Sequence, residues 1–213
     1  MVSPGDGPQR ETYRHGDLRR ALLAVGIELA REGGPEAIVL REATRRVGVA
    51  PNAAYRHFAD HRALRYAVCS AAQGFLAVAM EEELAALPTA IDLATDARAR
   101  VRAIGTGYLR FAQDEPGLFR TAFSVPEALD NPDIPAGLGA SGLSPFAHLT
   151  AALDGLVAAG ALPGSRRPGA EYLAWSAVHG LALLAIDGPM RGLPRPDTDQ
   201  IGQRLLDMVE RGL

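Results

Sequence analysis

"REATRRVGVAPNAAYRHFADH", residues 41–61, crowds four arginines and two histidines into one short stretch and sets Gly48 and Pro51 three positions apart. Its few apolar side chains are mostly small. The pattern reads as two short helices with a break between them. The first spans about Arg41 to Val47 and stops at Gly48, because glycine enters the left-handed conformation that ends a helix without steric cost. The second opens at Pro51, whose missing N–H costs nothing in a first turn, and closes near Phe58. Ala43 and Thr44 are small enough to let the first helix sit close against its partner, while Val47, Val49, Ala54 and Phe58 face inward. That leaves Pro51, Asn52, Ala53, Tyr55, Arg56 and His57 on or near the outer face. Two short helices around a glycine turn, the second with a polar and basic exterior, describe a helix-turn-helix. Short side chains at a helix start let the backbone approach base edges in a major groove about 12 Å wide. Asn pairs with adenine there, and Tyr, Arg and His bond phosphates.

Working outward, helical periodicity appears almost everywhere and no strand pattern does. Leu18, Ala21, Leu22, Val25 and Leu29 form one stripe on a helix from about Asp17 to Glu32, which Gly33-Gly34-Pro35 ends. A long helix follows the opening stretch, from His61 or Arg62 to Leu87, with Leu64, Val68, Ala71, Phe75, Val78 and Ala79 as its expected inner face. Asp92 to Gln113 aligns Val101, Ile104, Tyr108 and Phe111. Pro116 starts a short piece through Phe123. Val125 to Gly142 lacks periodicity and reads as a loop or flap. Ser144-Pro145 caps a helix to Ala159, Pro168 opens another to Asp187, and Asp197 caps the last. The expectation is an all-α chain of about nine helices: a tail over 1–11, a helix-turn-helix domain over 12–60 and a helical domain over 61–213.

The 213 residues carry a net charge of −3, unevenly spread. Residues 1–68 hold eleven arginines against eight acids, and the remainder holds eleven against seventeen. A basic end on an acidic body suits contact with a polyanion. No lysine occurs, for which genomic base composition is the ordinary reason. The single cysteine, Cys69, excludes an intramolecular disulfide, fits a reducing compartment and reads as a small core residue. The polar start predicts no secretory leader. The longest apolar stretches, such as Ala174 to Ile186, look too short to span a bilayer. A soluble cytoplasmic protein without membrane contact is expected.

"LREATRRVGVAPNAAYRHFADHRALRYAV" and, before it, "ETYRHGDLRRALLAVGIELAREGGPEAIVL" together resemble the DNA-binding domain of the TetR family of transcriptional regulators. The shared features are leucine and arginine opening the second helix, the turn glycine, a tyrosine and histidine two apart, then a phenylalanine. The resemblance implies a homodimer whose reading helices enter successive major grooves of a palindromic or near-palindromic double-stranded DNA operator, with half-sites about 34 Å apart. It makes Arg41 a candidate base contact and Pro51, Asn52, Ala53 and Tyr55 the reading face, with Tyr55 and His57 also near phosphate. The family usually places a lysine at the start of the fourth helix, where this chain has His61 beside Arg62. A neutral histidine would hold phosphate more weakly, so affinity should rise as pH falls through the histidine range near 6.5. Farther on, Trp175, His179 and Gly180 spell W-x-x-x-H-G, and with "DEPGLFRTAF", residues 114–123, resemble one subgroup's C-terminal domain. That likeness implies an effector cavity enclosed by helices four to seven and a dimer seam through the last two helices; a small molecule settling among helices four to eight is expected to tilt the fourth helix and spoil the operator spacing.

Plainer readings stand beside these. Phe75, Tyr108, Phe111, Phe119 and Phe123 line a pocket or fill a core, and Trp175 and His179 on one helix face pack or touch a ligand. Ser176, His179 and Asp187 have no nucleophile elbow or oxyanion motif around them, so no catalytic residue is assigned. His57 and His61 lack a further clear metal ligand, so no metal or cofactor is expected. Glu81-Glu82-Glu83 reads as a solvated face, and Arg45 and Arg46 as part of the DNA side. The chain is therefore expected to be a ligand-responsive DNA-binding regulator, most simply a repressor released by a small apolar molecule. The alternatives are a helical protein-interaction adaptor and a small helical enzyme.

Overall fold

Leu18, Leu22, Leu29 and Ala30 turn one side of α1 (His15–Gly33) into a buried stripe, with Ala21 and Val25 half-buried beside it. The computed structural model describes residues 15–125 and 137–213, and within them the chain forms nine α-helices and no strand. The expected tail over 1–11 and most of the expected loop after Val125 lie outside the described residues. A 3₁₀ turn, Gly34–Ala37, leads from α1 into α2 (Leu40–Val47) and α3 (Pro51–Ala54), which pack on α1 and on each other. Ala43, Ala54 and Phe58 are buried between them, with Val47 and Val49 half-buried. Gly48 adopts φ 78° and ψ 27°, and the N–H of Val49 donates back to the Thr44 carbonyl at 3.0 Å, which closes the turn.

The second helix of the motif is shorter than its pattern suggests. Regular α-helix covers Pro51–Ala54, after which the N–H groups of His57 and Phe58 both donate to the Ala54 carbonyl at 2.9 Å. The sharing tightens the last turn, a common way to end a helix.

α4 (His61–Ala85) starts at Asp60, whose carboxylate accepts from the Ala63 N–H at 2.8 Å. It runs from the N-terminal head into the body. By length and composition it is apolar enough to cross a membrane, so the expectation that no segment is long enough needs correcting. Leu64, Val68, Ala72, Leu76 and Met80 are nonetheless buried against neighbouring helices, as in a core helix. The buried stripe is set differently from the expected one: Ala71 and Val78 are half-buried and Phe75 is exposed. A helix apolar on most sides does not reveal its inner face by periodicity alone.

α5 (Leu93–Asp114) is the central post, packing on α4, on α6 (Pro116–Ala122), on α7 (Pro145–Ala158), on α8 (Ala170–Ile186) and on α9 (Arg195–Gly212). Asp92 and Ser144 cap α5 and α7 through the N–H groups of Thr95 and Ala147. α8 begins two residues after Pro168, following Gly169 at φ 78°. α9 begins two residues before the expected cap, because Pro194 and Pro196 suit a first turn and leave Asp197 inside it. α6 presses on α1 so closely that a Cβ on Gly117 would stand 2.2 Å from the Ala30 carbonyl oxygen. The head is thus joined to the body by α6 as well as by α4.

Candidate nucleic-acid interface and interior cavity

At the tip of the head, Arg41, Pro51, Asn52, Tyr55 and Arg56 are exposed, and Ala53 and His57 are half-buried. Tyr55 keeps 53% of its surface accessible, although its neighbour Ala54 is fully buried. The glycine turn is responsible, since it aims the start of α3 away from α1 while Ala54 and Phe58 anchor its back. The Arg19 guanidinium lies 5.4 Å from the Phe58 ring centroid and covers that anchor from outside. His61 and Arg62 are exposed in the first turn of α4, and the Arg62 Nη2 donates to the Tyr66 hydroxyl at 3.1 Å.

The arginines of α2 divide into two groups. Arg46 donates to both oxygens of Glu32 at 2.7 Å and to Glu42 at 2.8 Å, and Arg45 donates to both oxygens of Glu42 at 2.8 and 2.7 Å. Hydrogen bonds from Arg45 and Arg46 hold the Glu42 carboxyl at about 2, well below its ordinary range. Arg46 therefore ties α2 to α1, while Arg45 pairs within α2. Among the described residues no ion pair engages Arg41 or Arg56, so these two supply positive charge at the reading tip.

Inside the body, a cavity of about 110 Å³ lies between α4, α5, α7, α8 and α9, with Phe123 at one edge. Of the seven aromatic and histidine residues singled out by sequence, Tyr108, Phe123 and Trp175 line it. Phe119 and His179 stand directly behind, with Phe119 5.3 Å from Tyr108 and His179 4.8 Å from Phe123 between ring centroids. Phe75 and Phe111 fall outside. They border a shallow groove on another side of α4, where the Arg31 guanidinium sits 5.7 Å from the Phe75 ring. Sequence reasoning missed Gln73, Met80, Ser144, Phe146 and Leu206, which are also part of the wall. Gln73 carried a signal, being a lone amide in the apolar run from Ala67 to Met80.

Polar groups at the cavity are few and tightly arranged. Trp175 Nε1 donates to the Tyr108 hydroxyl at 3.1 Å, and that hydroxyl lies 2.6 Å from His179 Nδ1. Burial pushes the His179 imidazole below its usual value and the Tyr108 phenol above its own. At the far end of α4, Glu81 accepts from the N–H groups of Ala140 and Ser141, from the Ser141 hydroxyl and from His148 Nε2. Desolvation would raise its carboxyl, but these bonds hold it at about 2. Glu81 is thus a clasp on the segment before α7, while Glu82 and Glu83 pair with Arg110, so the acidic triplet is no uniform solvated face.

Ser176, His179 and Asp187 do not form a catalytic set: Ser176 is exposed, His179 bonds Tyr108, and Asp187 bonds Arg120 through three contacts of 2.6 to 3.0 Å. No cluster of three or more His, Cys, Asp or Glu side chains able to hold a metal occurs among the described residues. Burial raises the Cys69 thiol to about 11.

The whole chain is similar to several solved structures. A protein of unknown function from Rhodococcus sp. RHA1 is 26% identical, with a TM-score of 0.73 over 96% of this chain and 99% of that one. The TetR family transcriptional regulator PfmR from Thermus thermophilus is 21% identical, with a TM-score of 0.56 over 90% and 98%. A TetR variant from Acinetobacter baumannii AYE in complex with minocycline is 19% identical, with a TM-score of 0.54 over 90% and 93%. None of the curated proteins compared matches. Residues 101–209, more than half of the chain, match the family model of the tetracyclin repressor-like C-terminal domain. With that domain placed behind a helix-turn-helix head, the chain belongs to the TetR family of transcriptional regulators.

Proposed function

We propose that the chain is a repressor that binds operator DNA as a homodimer and is released by a small, largely apolar molecule held in the interior cavity. The observation that carries the DNA reading is the exposed tip, where Pro51, Asn52 and Tyr55 stand clear of the fold between the cationic Arg41 and Arg56. Residues up to 60 act as the DNA-binding domain and those from 61 as the effector-binding and dimerisation domain. Asn52 reads a base edge, Arg41 reaches in from α2, and Tyr55, Arg56, His57, His61 and Arg62 hold phosphates. Outward-facing Leu173, Leu183 and Leu184 on α8, with Met208 on α9, suit a seam against a second copy. The cavity adjoins α4 and α5, so an effector that fits one orientation of α4 better than another shifts the distance between the two heads. A regulator of this kind works in the cytoplasm and needs no cofactor.

Selection of bound sequences from random duplex DNA tests the reading, followed by affinity measurements across salt concentrations. A palindromic site whose affinity falls steeply with salt is the expected result. Binding that shows neither sequence preference nor salt dependence would remove the DNA role and favour an adaptor.

A further inference from the structure

We infer that the cavity selects an uncharged ligand that donates a hydrogen bond, such as a small phenol, alcohol or neutral N–H compound, and rejects carboxylates and phosphates. This rests on the cavity being the effector site and names the chemistry of what enters it.

The donors and acceptors of the wall lead there. Gln73 is 6% exposed and lines the cavity. One of its amide atoms lies 3.0 Å from the Ala122 carbonyl oxygen, which can only accept, so that atom is Nε2. The same nitrogen approaches Cys69 Sγ at 3.9 Å. Both N–H groups are then committed, and Oε1 is the part of this amide left to receive a ligand. Tyr108 gives the same answer where His179 Nδ1 is the bare ring nitrogen. Trp175 Nε1 can only donate, so the Tyr108 oxygen accepts from it, and in that tautomer it gives its own proton to the bond with His179 Nδ1. That assignment requires a neutral His179, in keeping with its burial. One lone pair of Tyr108 remains. Ser144 Oγ accepts from the Ala147 N–H, which leaves its hydroxyl proton as the donor that this wall can offer a ligand.

Two acceptors and one hydroxyl donor match a ligand hydroxyl, which gives one bond and takes one. No charged side chain lines the cavity among the described residues, so nothing there offsets the desolvation of an anion. A volume of about 110 Å³ has room for about four waters at liquid density, which suits one small ring.

Trp175 is the only tryptophan and lines the cavity, so its fluorescence reports occupancy directly. Three probes of matched shape are titrated into the full-length protein: 4-ethylphenol, its methyl ether 4-ethylanisole, and 4-ethylbenzoate. The phenol is expected to change Trp175 emission saturably and to bind at least about tenfold more tightly than the ether, with the benzoate weakest. Gln73→Met and, separately, Tyr108→Phe are each expected to narrow the gap between phenol and ether while leaving ether binding within about threefold. An ether that equals the phenol, or a benzoate that binds best, overturns this donor–acceptor assignment while the cavity still stands as a ligand site. Silence of Trp175 and an unchanged Tm with all three probes overturns both the assignment and the cavity reading.

Discussion

The Tyr108–His179 pair carries a pH dependence whose sign follows from burial. The unfolded imidazole titrates near 6.5, and burial in the folded body lowers it. Between the two values the unfolded chain binds more protons, so stability from this residue is complete above about 6.5 and declines as pH falls toward the folded value. Protonating His179 also removes the acceptor for the Tyr108 proton, and Tyr108 is the titratable group that bonds it. His179→Asn, which keeps an acceptor and does not titrate, should therefore lose less Tm than the parent between about pH 7.5 and about pH 5. Equal losses in the two proteins would place the acid sensitivity elsewhere. Gly48 makes a second residue-scale case. Its φ of 78° is left-handed and nothing lies within 4 Å of where a Cβ would stand, so Gly48→Ala meets backbone strain alone. A loss of about 1 kcal/mol is expected by urea denaturation, with the fold unchanged by circular dichroism.

Between elements, close approach replaces dihedral strain as the governing term. Gly117 puts α6 against the carbonyls of Ala30 and Arg31, and an added methyl would meet main-chain oxygens at 2.2 and 2.7 Å. Gly117→Ala must push α6 away from α1, and an overpacked contact of this kind costs about 3 kcal/mol, more than Gly48→Ala by the same measurement. A loss no larger than that of Gly48→Ala would mean that α6 is not firmly seated on the head. The contrast between elements also explains what the sequence could convey. The stripe of α1, the turn at Gly48 and the start of α7 at Ser144 are written in neighbouring residues, and each stands close to where its pattern places it. Tyr108 was legible as a cavity residue because it shares the α5 stripe with Val101 and Ile104, which line the cavity too. Phe75 was not, since α4 is apolar on most sides and only its partners decide which side is inner. Glu81 looked like one acid among three because the groups it clasps lie about sixty residues farther along the chain. Arg46 looked free for DNA because Glu32 reaches it across a turn from another helix.

For the molecule as a whole, the exposed apolar face of α8 and α9 and the cationic tip of the head belong to one geometric problem. Leu173 is 67% exposed, Leu184 44% and Met208 60%, and the proposed seam would cover them. Burying them against a second copy would fix the spacing of two reading tips, and that spacing would turn a weak, charge-driven grip into recognition of two half-sites at once. Leu173→Glu combined with Leu184→Glu sets like charges against each other across such a seam. The double variant should sediment as a monomer at concentrations where the parent is a dimer. Its slope of log affinity against log salt should fall to about half, because one head neutralises half as many phosphates. Two variants at the tip separate reading from grip. Arg56→Ala removes a phosphate contact from each head, so it should lower the dimer's slope by about two units and weaken all sequences alike. Asn52→Ala should leave the slope intact and cost about 1–3 kcal/mol per half-site, on the selected site alone. A double variant that remains dimeric, or a monomer that keeps the parent's slope and site preference, would break the link between the α8–α9 face and the two-headed grip.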